Sequence, residues 1–232
     1  MLRVIGFVVG AFVLARLLGH LPLVGGFFRS TGVFGVWIAA LLLAWAGTSL
    51  ATRLVERTRH QRRLRGLGAI DTPHAHGKRG ALFLSSGSPK RAVGELEIAH
   101  QADPELGEWA YALGRARLGS GDPGGALDVL EPLIARDPEH AYGGAQLVVA
   151  EAATQTGSFE RALDALKTFE RNHGPSPESA YRRGVVHGKA GESDRARAAL
   201  GEVSRLAREA SGARAKGSTG WIAKAWLARL RS

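Results

Sequence analysis

Apolar residues recur at helical spacing through the second half of the chain, and the register itself recurs. In the stretch from Gly107 to His140, Trp109, Leu113 and Ala116 fall on one helical stripe, and a turn opens at Gly119-Ser-Gly121-Asp-Pro123. A second apolar set follows at Ala126, Leu130 and Leu133, and Pro138 stops that segment because proline lacks the amide proton and clashes with the preceding turn. The pattern predicts a helix, a tight turn and a second helix.

The same unit recurs along the chain. Gly87 with Ala92, Gly121 with Ala126, Gly157 with Ala162 and Gly191 with Ala196 form matched pairs 34, 36 and 34 residues apart. Leu96, Leu130, Leu166 and Leu200 keep this register, as do Ala99, Leu133, Phe169 and Val203. Asp103-Pro104, Asp137-Pro138 and Gly174-Pro175 close the first three units. With Trp109, the pair Leu113-Gly114, the small Ala126 and the terminal Pro138, the second unit resembles the tetratricopeptide repeat family. The third unit has Val149-Ala150 in place of the Leu-Gly pair, and the fourth has Arg183-Gly184. The resemblance implies an all-α solenoid of about four helix-turn-helix repeats over 73–106, 107–140, 143–176 and 177–210. One helical hairpin cannot bury its apolar face alone, so neighbours stack and share a core.

The pattern ahead of the repeats is different. Residues 33–51 run without a charge, and at about 1.5 Å per residue that is close to the thickness of the hydrocarbon layer. A first apolar segment over about 2–19 is long enough to span if Arg16, near its far end, snorkels to the interface. The expectation is a transmembrane hairpin over 1–52. A cleaved signal peptide is the alternative for the first segment, although no small-x-small cleavage site follows it. Gly6 with Gly10 and Gly35 with Ala39 have the spacing that lets helices approach closely, within the hairpin or in a homodimer.

Charge orients this hairpin. The net charge is +10, yet residues 1–51 hold only Arg3, Arg16 and Arg29 as charged side chains. Arg53, Arg57, Arg59, Arg62, Arg63 and Arg65 against Glu56 supply half of the total. The positive-inside rule keeps such a basic stretch in the cytoplasm, so the expected location is the inner cell membrane, multi-pass, with the repeats facing the cytoplasm. The segment 53–72 reads as a juxtamembrane linker whose arginines meet anionic headgroups, and it becomes flexible from Gly66 to Gly77. No aromatic residue is interleaved among the arginines to stack on bases, so nucleic acid is not the expected partner.

Candidate chemistry is sparse. The chain has no cysteine, which excludes disulfides, thiolate metal sites and cysteine nucleophiles. His74 and His76 are too few to hold a metal and read as a loop pair. Gly119-x-Gly121-x-x-Gly124 matches a dinucleotide fingerprint by letter, but helices rather than a strand flank it. No catalytic motif, cofactor or metal is expected.

In the repeat family the first helices line a concave groove, so the resemblance implies binding of a protein or peptide. The groove positions are Tyr111 and Arg115 in the second unit, Glu151 and Gln155 in the third, and Tyr181 and Lys189 in the fourth. Aromatic and charged side chains on a rigid concave surface suit an extended peptide; the alternative is that Tyr111 and Tyr181 pack between hairpins. The groove reads as mixed in charge, with Glu108, Glu151 and Glu178 beside Arg115, Arg182 and Lys189. The Lys and Asn that chaperone-binding members use to clamp a terminal carboxylate are missing, with Gly77 and Ala81 in their places. A last helix, Trp221 to Leu230 within 211–232, is expected to cap the solenoid through Ile222, Trp226 and Leu230, or else to touch the membrane. The expected role is a membrane-anchored adaptor, which raises a partner's effective concentration by tethering. The alternative is an accessory or small-ligand-binding subunit of a membrane-associated enzyme, a layout that loosely resembles the bacterial HemY-like proteins.

Overall fold

A computed structural model describes residues 70–209 and 218–229, together with isolated positions 45, 47–49, 52 and 67. The chain divides into two compact units, 1–65 and 66–232. Both expected spans, the Gly6/Gly10 and Gly35/Ala39 pairs and the arginines from Arg53 to Arg65 lie outside the described residues, apart from the few isolated positions. Among the described residues no helix is long and apolar enough to cross a membrane.

Every regular element among the described residues of the second unit is a helix. Its elements are α1 (Pro73–Ser85), α2 (Pro89–Ala102), α3 (Gly107–Ser120), α4 (Pro123–Arg136), α5 (Gly144–Gln155), α6 (Phe159–His173), α7 (Pro177–Lys189), α8 (Ser193–Glu209) and α9 (Ser218–Arg229). Three of these helices start in the same way. Thr72, Asp122 and Ser176 each accept a hydrogen bond from a backbone amide of the first turn, and a proline follows each. The cap satisfies an orphan donor, and proline at the first position gives up an amide that has no partner there. This start corrects the expectation of a flexible join up to Gly77: the helix begins at Pro73. His74 and His76 therefore sit in its first turn rather than in a loop. His76 bonds Glu95 through Nδ1 and Asp71 through Nε2, each at 2.8 Å, and His74 packs edge-on against Trp109.

Within each pair the turn and the crossing repeat. Gly87, Gly121, Gly157 and Gly191 all have φ between 71° and 92°, the left-handed region in which glycine carries no penalty. Ala92, Ala126, Ala162 and Ala196 are buried, as are Leu96, Leu130, Leu166 and Leu200. Each of these leucines in the first, second and fourth pairs presses on a glycine of the partner helix. A Cβ added at Gly80, Gly114 or Gly184 would meet the Cγ of Leu96, Leu130 or Leu200 at 2.4, 2.4 and 2.6 Å. The third pair has a buried Ala150 at that place.

Stacking between pairs uses larger side chains. Trp109 is buried and fills the space above Gly77, where a Cβ would lie 2.6 Å from its ring. Leu113 and Val149, inside the stack, are buried and apolar. Arg79 and Arg183 hold the equivalent places in the first and fourth pairs, and both are neutralised: Arg79 by Glu95, Arg183 by Glu170 and Glu202. The first helices α1, α3, α5 and α7 touch one another in succession, whereas the second helices contact the adjoining first helices. Long side chains such as Arg161 to Glu131 bridge the second helices. The first helices thus form the inner face.

The 36-residue interval is absorbed between α4 and α5. Ala141, Tyr142 and Gly143 are left-handed in succession, with φ of 56°, 53° and 73°. Gly143 lies against the rings of Phe169 and His173, and Tyr142 is 90% exposed.

At the C-terminal end α9 packs on α8 and α7. Its buried face is Ala225, with Trp221 and Ala228 partly buried against Ala180, Leu200, Val203 and Leu206. This corrects the expected stripe of Ile222, Trp226 and Leu230. Trp226 is 62% exposed, Ile222 is only half-buried and Leu230 lies outside the described residues. Small side chains at 225 and 228 let the helix lie closer than the stripe of large residues would.

Candidate functional site

The inner face ends in a cavity of about 320 Å³ between α5, α7 and α9. Glu151, Thr154 and Gln155 come from α5, Tyr181, Arg182, Val185 and Lys189 from α7, and Trp221 and Lys224 from α9. Residues 181, 185 and 189 are four apart, so one stripe of α7 faces the cavity. The matching end of α5 faces it because the two first helices lie side by side.

Four of the six residues expected in the groove, Glu151, Gln155, Tyr181 and Lys189, therefore meet around one space. The structure puts Tyr111 and Arg115 elsewhere. The Tyr111 ring stands edge-on to His140 at 5.5 Å, its hydroxyl abuts Gly144, and Arg115 lies over its ring at 5.5 Å. Tyr111 is thus wedged between α3 and the left-handed α4–α5 connection, while Arg115 is exposed on the inner face. Tyr181 does both jobs, lining the cavity while its ring packs 5.4 Å from that of Trp221.

The charges of the inner face are not equally free. Glu151 and Glu178 both receive hydrogen bonds from Arg182, at 2.5 and 2.8 Å. Burial acts to lower the Arg182 pKa, but the hydrogen bonds and charges of the two carboxylates outweigh it and raise the pKa above the ordinary arginine value. Glu108 pairs with Lys78, which also lies 5.5 Å from the Trp109 ring. Lys224 sits 4.0 Å over the Trp221 ring, and neither it nor Lys189 is engaged by a carboxylate among the described residues.

Sequence reasoning misses Trp221 and Lys224 as members of this site. Both lie outside the repeat period, so no register carries them to α7. What signal exists is the need to cover the last pair, which requires that α9 lie against α7 and α8. Arg182 is legible as a groove charge, but its engagement with two glutamates depends on the spacing between α5 and α7. No cluster of three or more potential metal ligands occurs among the described residues.

Comparison with known proteins agrees with this architecture. The tetratricopeptide repeat family model matches residues 111–177 and 150–212. No curated protein matches the chain. Among solved structures, MamA from residue 41 to its end, of Desulfovibrio magneticus RS-1, aligns with a TM-score of 0.60 at 19% identity, covering 71% of this chain and 95% of that one. TTC0263, a thermophilic TPR protein of Thermus thermophilus, gives 0.50 at 26% identity over 69% and 96%. YrrB, a TPR protein with an unusual peptide-binding site, gives 0.56 at 19% identity over 66% and 81%. The low identities make these likenesses of fold. Residues 111–212, the stretch that the tetratricopeptide repeat model matches, thus lie within an all-helical solenoid.

Proposed function

We propose that this chain is a non-catalytic scaffold that holds a protein or peptide partner on the inner face of its repeats, moored to the inner cell membrane by its N-terminal apolar segments with the repeats in the cytoplasm. The observation that carries the binding half is the cavity at the end of the inner face, where Glu151, Gln155, Tyr181 and Lys189 converge with Trp221 and Lys224. It has an aromatic wall and a charged rim, the mix that gives a peptide groove its anchor and its orientation. The solved structure of YrrB, which has a peptide-binding site, shares the fold. The mooring rests on the uncharged run over 33–51 and the arginines from Arg53 to Arg65.

The experiment is site-specific photocrosslinking of the full chain in native membranes. A crosslinker at Gln155, exposed on the cavity rim, is expected to capture a protein that one at Asp164, exposed on α6, does not. Equal capture at the two positions, or capture at Asp164 alone, would reject the inner face as the binding surface. Extraction of the full chain by carbonate would reject the mooring and leave the groove assignment intact.

A further inference from the structure

We infer that the cavity between α5, α7 and α9 selects a peptide segment carrying acidic side chains next to an apolar one, a specificity that rests on the groove reading above. The sequence alone makes the inner face look electrically mixed; the geometry separates engaged charges from free ones. Three carboxylates of this face have partners. Glu151 and Glu178 share Arg182, and Glu108 takes Lys78. Against these three negative charges Arg182 and Lys78 supply two positive ones, which leaves one negative charge in excess; Lys189 and Lys224, on the cavity rim with no carboxylate engaging them among the described residues, outweigh it. Arg115 stands further along the same face, over the Tyr111 ring and with no carboxylate engaging it among the described residues. The uncompensated charge is therefore positive, although residues 66–232 as a whole carry 22 basic against 20 acidic side chains and are nearly neutral. The excess is local to the site.

The rest of the lining fixes the other requirement. The paired rings of Tyr181 and Trp221 and the side chain of Val185 form an apolar wall, and a space of about 320 Å³ admits a large side chain. Lys224 is held 4.0 Å above the Trp221 ring, so its ammonium is already placed over the wall when a ligand arrives. An acidic side chain on either side of an apolar anchor would meet Lys189 and Lys224 while the anchor enters between them. Lys189 comes from α7 and Lys224 from α9, so the two charges reach the cavity from different helices, which suits carboxylates spread along a segment.

The test measures binding of the full chain, in a non-ionic detergent, to three pools of fluorescent eight-residue peptides amidated at the C-terminus. The pools share the same apolar residues and differ only in carrying Glu, Gln or Lys at the polar positions. The Glu pool is expected to bind about tenfold more tightly than the Gln pool at low salt, the worth of two partly exposed ion pairs, and the Lys pool more weakly still. Lys189→Gln with Lys224→Gln should bring the Glu and Gln pools to parity with an unchanged melting temperature. Lys189→Glu with Lys224→Glu should reverse the order of the Glu and Lys pools. Equal binding of all three pools to the unaltered chain would overturn the charge selectivity while leaving the groove reading standing. Binding by no pool, or a preference for Glu that survives both double variants, would overturn the assignment to this cavity.

Discussion

Single residues set the geometry of this solenoid, and glycine and alanine do more of that work than the large side chains. Gly114 lies so close to Leu130 that an added Cβ would come within 2.4 Å of the leucine Cγ and 2.7 Å of both its methyls. Gly114→Ala is therefore expected to destabilise the repeat unit by about 1–3 kcal/mol through overpacking. Gly94, in the middle of α2 with nothing within 4 Å of the same position, is the control: Gly94→Ala should stabilise by about 0.5–1 kcal/mol because only helix propensity is at issue. Thermal melts of the two variants should move in opposite directions, and a shared direction would refute the close crossing. A second residue-scale effect concerns His100, whose Nδ1 is buried with no hydrogen-bond partner among the described residues. Burial first, and then the charges of Arg117 and Arg136, depress its pKa below the ordinary 6.5. The folded state then binds fewer protons than the unfolded one, so the stability it contributes is present above about pH 6.5 and is lost as the pH falls through the depressed value. Ile134 holds the same place in the next repeat, and His100→Ile should flatten the loss of melting temperature between neutral and acidic pH relative to the unaltered chain. Parallel pH profiles for the two proteins would dismiss this role for His100.

At the scale of elements, what repeats is legible in the sequence and what closes the stack is not. The turn glycines, the alanines five residues on and the leucines behind them sit at fixed intervals, and all three sets fall where a helical hairpin needs left-handed backbone, a close crossing and a buried anchor. The 36-residue interval also has to be absorbed somewhere, but its form, three consecutive left-handed residues at 141–143, depends on packing against Phe169 and His173 from the next hairpin. The start of α1 is hard to read because the glycines and histidines around it outweigh the Thr72-Pro73 signal. The rotation of α9 is obscured for a different reason. Hydrophobic size favours a stripe through Trp226, but the neighbouring face, with Trp221, Ala225 and Ala228, fits the shallow surface left by Leu200 and Val203. That difference is testable: Trp221→Ser should lower the melting temperature and Trp226→Ser should leave it nearly unchanged, since the second side chain is 62% exposed. A larger loss from the change at 226 would restore the stripe read from the sequence.

Across the whole molecule the distribution of charge argues for where the chain works. Of the net +10, residues 1–65 carry +8 and residues 66–232 only +2. A repeat unit this close to neutrality offers no broad field to a polyanion such as nucleic acid, whereas six arginines within 53–65 beside an uncharged run of nineteen residues at 33–51 suit an anionic membrane surface, at about 1 kcal/mol for each basic residue near the headgroups. On the proposed mooring, the same arrangement predicts a side. Arginines beside a span resist translocation, so the repeats that follow them should remain in the cytoplasm, where mooring would concentrate a partner without any new contact. The absence of cysteine makes this directly measurable. A single cysteine placed at Glu160, exposed at the start of α6, should react with a membrane-impermeant maleimide only after cells are permeabilised. Labelling in intact cells would reverse the topology. If the six arginines hold the orientation, replacing them with glutamine should make a fraction of the Glu160→Cys chains reactive from outside, and an unchanged pattern would assign the orientation to some other part of the chain.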